Sequence, residues 1–417
     1  MSPRFGFIPV ASIMHNEGAL NRLIADYVPA FERIGGERWQ SEQVEHPAPL
    51  LLFVVTGGTE RNILDLWEKR RKAVTGEPVL LLAHPGHNSL PASLEVLARL
   101  QQEGVPGRIF YLSSPEDAAS MAQIETALRD LETYRFLCQA RIGLIGEPSD
   151  WLVASSPTPA TVRETWGLEV EPISMEALYE AMETALPEEI PPLIEELVDS
   201  AVEVREPDRA DLEEGARVYL GLRWLVERHQ LSALTLRCFD LVVQLKTTGC
   251  FALAQLNDEG IIAGCEGDVV STVGMLWAYH LLARLPWMAN PAQLNEADNT
   301  LWLAHCTVPR RLTRRYRLRS HFESGLGVGL QGEIPPSPVT LLRIGGMGLE
   351  RVWLAEGELL HSGDAENLCR TQVKVRLTRG TVCDLLRAPL GNHLVLVQGH
   401  HANRLRSWQE TMLRPGT

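Results

Sequence analysis

The stretch Leu50-Leu-Leu-Phe-Val-Val-Thr-Gly-Gly-Thr59 sets the architecture. Six apolar residues run unbroken into a Gly-Gly turn. A run this short, with no polar alternation, predicts a strand buried on both faces. Helical spacing follows over 60–74, then a second apolar run at Val79–Ala83, then helical spacing over 89–103. Upstream, 5–10 is another short apolar run, and Leu23, Ile24, Tyr27, Val28 and Phe31 keep helical spacing over 21–34. Downstream, 108–112 and Arg141–Ile145 repeat the strand pattern around a helix over 116–136. Buried strands alternating with helices predict a parallel sheet covered on both faces. Ligands of such sheets sit at the edge where the strands end.

Beyond Ile145 the sequence Gly146-Glu-Pro-Ser-Asp-Trp151 is turn chemistry. Helical patterns occupy 174–185, 190–200 and 208–229, and a further strand–loop–helix unit begins at Leu234. After about 310 the texture changes. Strands are expected at 339–344, 350–354, 371–377 and 393–398, with Gly-containing turns between them. The pattern by itself gives an α/β chain with a parallel sheet in its first third, further strand–helix units, and a β-rich terminal domain closing as a small barrel. The expected boundaries are 1–145, 146–310 and 311–417.

The chain of 417 residues carries a net charge of −14, with 45% hydrophobic and 22% charged residues. Length and balance suit two or three globular domains. The acidic sign argues against a nucleic-acid or anionic-membrane partner, because either needs a basic surface to displace counterions. A basic run at Arg310, Arg311, Arg314, Arg315, Arg317 and Arg319 is expected to be a solvated face. Seven cysteines without a CxxC pair exclude a zinc ribbon and an even disulfide framework. Residues 1–17 lack a basic segment followed by a long apolar one. A cytoplasmic protein with reduced thiols is expected. The most apolar segment, 269–289, is interrupted by His280 and Arg284. Only 15 residues separate Asp268 from Arg284. A span needs ~20 apolar residues, so a buried helix is predicted.

Several motifs fail on context. Gly327-Val-Gly-Leu-Gln-Gly332 has the dinucleotide spacing, but Pro335, Pro336 and Pro338 forbid the helix that must follow. A flexible loop is expected there. Thr56-Gly-Gly-Thr59 offers backbone N–H groups to a phosphate or a sugar hydroxyl, although a tight strand-to-helix turn explains it as well. His400 and His401 are adjacent and point to opposite faces of an extended chain, so an exposed turn is expected.

The segment from Cys250 to Pro309 carries the chemistry. Cys265-Glu-Gly-Asp268 is a turn just before the apolar helix, and His305 closes a strand-like run. Two carboxylates and an imidazole at strand ends suit a divalent cation such as Mn²⁺. Such an ion polarises a carbonyl while a carboxylate moves a proton. The plainer alternatives are Asp268 as a helix cap and His305 as a satisfied core histidine. Cys265 reads as a buried small hydrophobe. Asp150 and Trp151 follow a strand end, where substrate contact is expected, and Lys246 offers a charge to an anionic substrate group.

Seven segments, in order, resemble one family: Arg141-Ile-Gly-Leu-Ile-Gly-Glu-Pro-Ser-Asp-Trp-Leu152, Arg237-Cys-Phe-Asp240, Thr248-Gly-Cys250, Asn257-Asp-Glu-Gly260, Cys265-Glu-Gly-Asp268, Asn299-Thr-Leu301 with His305-Cys306, and Gly391-Asn-His393. Together they are similar to the L-fucose isomerase/L-arabinose isomerase-like superfamily, in its short fucose isomerase-like branch. The resemblance implies a fold of two parallel-sheet, Rossmann-like α/β domains followed by a β-rich, barrel-like C-terminal domain, and an activity of aldose–ketose isomerisation of a sugar through a cis-enediol, usually with Mn²⁺. It also implies a homo-oligomer, a trimer or hexamer. Carried over, Glu266 matches the carboxylate that ligates the metal and serves as the base, His305 matches a histidine ligand, and His393 matches the C-terminal ligand. Asp268 is held as a second catalytic candidate. The chain departs from the family in Met288-Ala-Asn-Pro291, in the short loop expected after the apolar helix. Asn290 stands where the family places an acidic ligand, and an amide carries no charge and abstracts no proton. Asn290 is therefore kept as a substrate-binding candidate. The rival functions are a carbohydrate-binding or regulatory protein that kept the fold and lost turnover, and related metal chemistry such as aldol cleavage.

Overall fold

The computed structural model describes residues 5–74 and 76–413. The chain forms two compact units, Met1–Phe136 with Arg406–Thr417, and Leu137–Leu405.

The first unit is built on a five-stranded parallel sheet. Its spatial order is Gly36–Arg38, Phe5–Val10, Leu50–Val54, Val79–Ala83 and Gly107–Tyr111. Every side chain of Leu50–Val54 and Val79–Ala83 is buried, as unbroken apolar runs require. Helices Glu60–Ala73 and Ser89–Gln102 bring Ile63, Trp67 and Val96 onto Leu52, Val54 and Leu81. Thr56 to Thr59 form a strand-to-helix turn whose hydroxyls are used internally. Thr56 accepts from the Ser12 N–H at 2.8 Å, and Thr59 donates to the Thr56 carbonyl at 2.7 Å.

The second unit opens with a four-stranded parallel sheet, ordered Ile262–Cys265, Ala233–Leu236, Arg141–Ile145 and Glu169–Ile173. Arg141–Ile145 thus pairs into this sheet and not into the first. Three neighbouring strands deliver their following loops to one edge: residues 146–152 after Ile145, Arg237 after Leu236, and Glu266 after Cys265.

Helix Val269–Leu282 is buried along its first ten residues, as its composition demands, and packs against both this sheet and a closed antiparallel barrel. The barrel order is Pro286–Asn295, Thr300–His305, Thr371–Arg379, Arg351–Gly363, Ser337–Gly345 and Leu394–Gln398. The mixed α/β architecture with a C-terminal barrel matches the expectation. Two barrel strands lie upstream of position 311. One of them, Pro286–Asn295, was expected as a loop around Asn290. Pro291 is tolerated there because the ladder breaks register between Pro291 and Gln293, where a missing N–H costs little.

A small third sheet pairs Gly329–Glu333 with Arg315–Arg319, and the latter with Glu203–Val204. The glycine-rich segment expected as a flexible loop is therefore a strand from Gly329 onward. Gly332 allows it to lie close to Thr313, since a Cβ would fall 2.4 Å from the threonine methyl. The basic run is in part the solvated face expected, with Arg311, Arg314 and Arg315 exposed, but most of its charges are paired. Arg310 reaches Asp258, Arg314 and Arg315 reach Glu333, Arg317 reaches Glu203, and the buried Arg319 reaches Glu206. No helix of the described residues is long and apolar enough to cross a membrane.

Candidate functional site

Strand Ile262–Cys265 ends and helix Val269–Leu282 begins across three residues, Glu266, Gly267 and Asp268. Glu266 sits at φ +63° and Gly267 at φ +70°. Left-handed backbone costs a residue with a Cβ about 1–2 kcal/mol, and such strain concentrates at functional sites. Gly267 is required twice over, because a Cβ would lie 2.7 Å from the Glu147 carbonyl oxygen. This close approach seats the 146–151 loop on the turn. The Ser149 N–H donates to the Glu266 carbonyl at 2.9 Å. Trp151 donates its indole N–H to Glu266 Oε2 at 2.5 Å, while half of the residue stays exposed.

Glu266 meets two histidines from the barrel. His305 ends strand Thr300–His305, and His393 immediately precedes Leu394–Gln398. One ligand atom from each of the three residues lies within 4.8 Å of the others, and all three are buried. His393 Nε2 is 3.4 Å from Glu266 Oε1. The two imidazole rings stand 5.6 Å apart, edge to face. The outer nitrogens are held in place: His305 Nδ1 contacts Thr307 Oγ1 at 3.0 Å, and His393 Nδ1 contacts Asp268 Oδ2 at 2.9 Å. His393 Nε2, fully buried, has no hydrogen-bond partner.

Asp268 is the helix cap and more. Oδ1 accepts the Ser271 N–H at 2.8 Å. Oδ2 accepts from Ser271 Oγ at 2.7 Å, from Arg343 Nη1 at 3.1 Å and from His393 Nδ1. With no exposed surface and both oxygens engaged, it supports the site from behind.

The electrostatics follow from these contacts. Burial alone would raise the Glu266 carboxyl, but His393 and then His305 beside it hold it below its ordinary value. Burial is likewise overcome at Asp268, where the Arg343 guanidinium and His393 hold the carboxyl well below the usual range. His393, despite burial, is pushed up to about 9 by Asp268 and Glu266. His305 is pushed down to about 4, first by burial and then by His393.

A divalent cation fits this donor set. One carboxylate and two imidazoles suit Mn²⁺ or a neighbour, the buried His393 Nε2 turns to Glu266 Oε1 at 3.4 Å without a hydrogen bond, and a carboxylate orients one imidazole from behind, as around metal sites generally.

The other expected residues fall variously. Asp150 is exposed and pairs with Arg237 at 3.2 Å, next to Trp151 in the loop. Asn290 pairs with Ala304 in the barrel ladder. It lies two residues along the same strand from Met288, whose sulfur is 3.1 Å from the Cys265 N. Lys246 caps helix Cys238–Leu245, exposed, with its ammonium turned back onto the Val243 carbonyl at 3.1 Å. The side-chain partners of Glu266 are Trp151 and His393, and Lys246 is not among them. Cys265 is buried with its sulfur 3.2 Å from that of Cys238, and that neighbour together with burial pushes its thiol well up. His400 is exposed and His401 half-buried, just after a bend at Gly399.

Arg343, Ser155 and Phe239 were not among the expected residues. Phe239 stands edge-on to Trp151 at 4.9 Å. Arg343 did leave a signal, as one cation inside the apolar run Leu341-Leu-Arg-Ile344.

No protein-family model matches the chain. Among curated proteins it is 26% identical over 246 residues to a sulfoquinovose isomerase of Alkalicoccus urumqiensis, a match that covers 57% of this chain and 54% of that protein. It is 24% identical over 319 residues to a sulfoquinovose isomerase of Clostridium sp. (strain MSTE9), covering 75% and 70%. A sulfoquinovose isomerase of Priestia megaterium is 19% identical over 201 residues, covering 47% and 44%. The match thus spans about half the length of the first and third of these relatives.

Proposed function

We propose that the protein is a metal-dependent aldose–ketose isomerase, and that its substrate is a hexose of the sulfoquinovose type. One observation carries the reading: Glu266, fixed by the half-exposed Trp151 indole, shares a buried cluster with two imidazoles, one of which sets its buried Nε2 3.4 Å from Glu266 Oε1. The names of the three relatives support a sugar isomerase.

Glu266, His305 and His393 would hold the ion, Mn²⁺ or another divalent cation, which when bound supplies Lewis acidity toward the sugar carbonyl. Glu266 acts as the base. Its carboxylate takes the proton from C2 of the open-chain aldose and returns it to C1 through the cis-enediol, while a hydroxyl proton moves between O2 and O1. Trp151 holds Oε2 in place and offers its exposed ring to the sugar. Asp268 holds His393 by its far nitrogen. The test is hydrogen–deuterium exchange at C2 of a panel of aldoses in D₂O with Mn²⁺ present, compared with Glu266→Gln.

A second reading is favoured by Asn290 alone. With an amide where the resembling family has a carboxylate, the chain would bind sugar without turning it over. Sugar binding without C2 exchange would select this reading.

The assembly proposed is a homo-oligomer, a trimer or hexamer. Val153 and Val243 are 90% and 68% exposed, on the loop of Trp151 and the helix of Phe239, and a second subunit would cover these side chains. Light scattering that returned a 46.4 kDa particle at micromolar concentration would contradict it.

A further inference from the structure

We propose that Arg343 is a positioning residue, whose buried guanidinium sets the direction in which His393 presents Nε2 to Glu266 and His305. The inference rests on reading those three residues as a metal centre.

Arg343 comes from barrel strand Ser337–Gly345 and is 2% exposed. Its donors go to four different places. Nη1 reaches Asp268 Oδ2 at 3.1 Å and Ser271 Oγ at 2.5 Å, both at the start of helix Val269–Leu282. Nη2 donates to Ser155 Oγ, in the segment that follows Trp151. Nε donates to the Leu390 carbonyl at 3.3 Å, three residues before His393.

Two routes lead from this guanidinium to the imidazole. The first is chemical: the Asp268 oxygen that accepts from Arg343 is the same one that meets His393 Nδ1. The second is steric. Gly391 sits at φ +146°, and a Cβ there would fall 2.2 Å from Arg343 Nη2, so the backbone entering His393 is packed directly on the guanidinium. A side chain with a fixed fork of donors can hold all four contacts in one geometry. A lysine, with a single ammonium, cannot.

Stability alone does not account for the arrangement. Buried ion pairs are often matched or bettered by apolar residues of similar volume, because desolvation offsets the attraction. What this pair adds is a direction for His393.

The test uses the full chain with Mn²⁺ and three variants, Arg343→Met, Arg343→Lys and Ser155→Ala. Folding is followed by circular dichroism, Mn²⁺ affinity by electron paramagnetic resonance, and the His393 Nδ1–H by its solvent-exchange rate in the proton NMR spectrum of the metal-free chain. Loss of an outer partner of a metal-ligating histidine typically weakens binding ~10–100-fold. Arg343→Met and Arg343→Lys, folded, should both show a loss of that order, with the Nδ1–H exchanging faster. Ser155→Ala removes one anchor and should shift both readouts in the same sense by less. Wild-type affinity and wild-type exchange in a folded Arg343→Met would overturn the proposal. If that variant does not fold, unchanged affinity and exchange in Ser155→Ala would overturn it instead. A wild-type chain that binds no Mn²⁺ overturns the metal reading, and the metal-free exchange rate then still decides whether Arg343 orients His393.

Discussion

Trp151 and Glu266, 115 residues apart, are joined by a 2.5 Å hydrogen bond from the indole N–H to Oε2. The bond exists because Gly267 lets the 146–151 loop lie against the turn that carries Glu266. One carboxylate oxygen is thereby fixed on the side of the half-exposed indole, and the other faces His393.

Replacing Trp151 by Phe keeps an aromatic ring and removes the N–H. A hydrogen bond to a charged group is worth about 1.5 kcal/mol at the low end, so C2 exchange should fall about tenfold. The thermal unfolding midpoint should stay near wild type, because Trp151 is half exposed. Steady-state exchange rates and a melting curve on the same preparation check both halves.

Gly267→Ala attacks the same contact from the backbone. The positive φ and the clash with the Glu147 carbonyl act together, and the expected loss of stability is about 2 kcal/mol or more. A lower urea midpoint and slower C2 exchange should appear together. A variant that kept the wild-type midpoint would show that the turn relaxes without displacing the loop.

Much of this was legible in the sequence, for identifiable reasons. Leu50–Val54 and Val79–Ala83 read as strands because each is a short, fully apolar run bounded by turn residues and followed by a helical pattern, as in a doubly covered parallel sheet. Asp268 carried two readings, a catalytic carboxylate and a helix cap, and its place before the apolar helix made the cap legible. Strand Pro286–Asn295 did not read as a strand, because its two prolines and polar tail look like a loop. The break in register against Thr300–His305 accommodates Pro291, and Pro286 is the first residue of the strand. The pairing of Arg343, though not its odd place in an apolar run, was hidden for a different reason. Its partner Asp268 lies 75 residues away, and local periodicity carries no information about a pairing at that distance.

Asn290, proposed as the position of a missing acidic ligand, is expected to weaken binding at the proposed centre. A carboxylate restores one formal charge near the ion, so Asn290→Asp should bind Mn²⁺ more tightly than the wild type. Isothermal calorimetry on the two proteins measures the difference directly. Equal affinities would place Asn290 outside the shell.

Above all, Glu266 is proposed to move the proton. Glu266→Gln keeps the shape and an oxygen donor but removes the base. A positioned general base contributes ~10²–10⁴-fold in rate. Proton–deuterium exchange at C2 of sulfoquinovose and of unsubstituted aldoses, followed by NMR in D₂O with Mn²⁺, reports enediol formation even where net conversion is slow. The wild type should exchange, and the rate should fall roughly a hundredfold or more in Glu266→Gln while sugar binding persists. Exchange at the wild-type rate in Glu266→Gln would contradict the assignment.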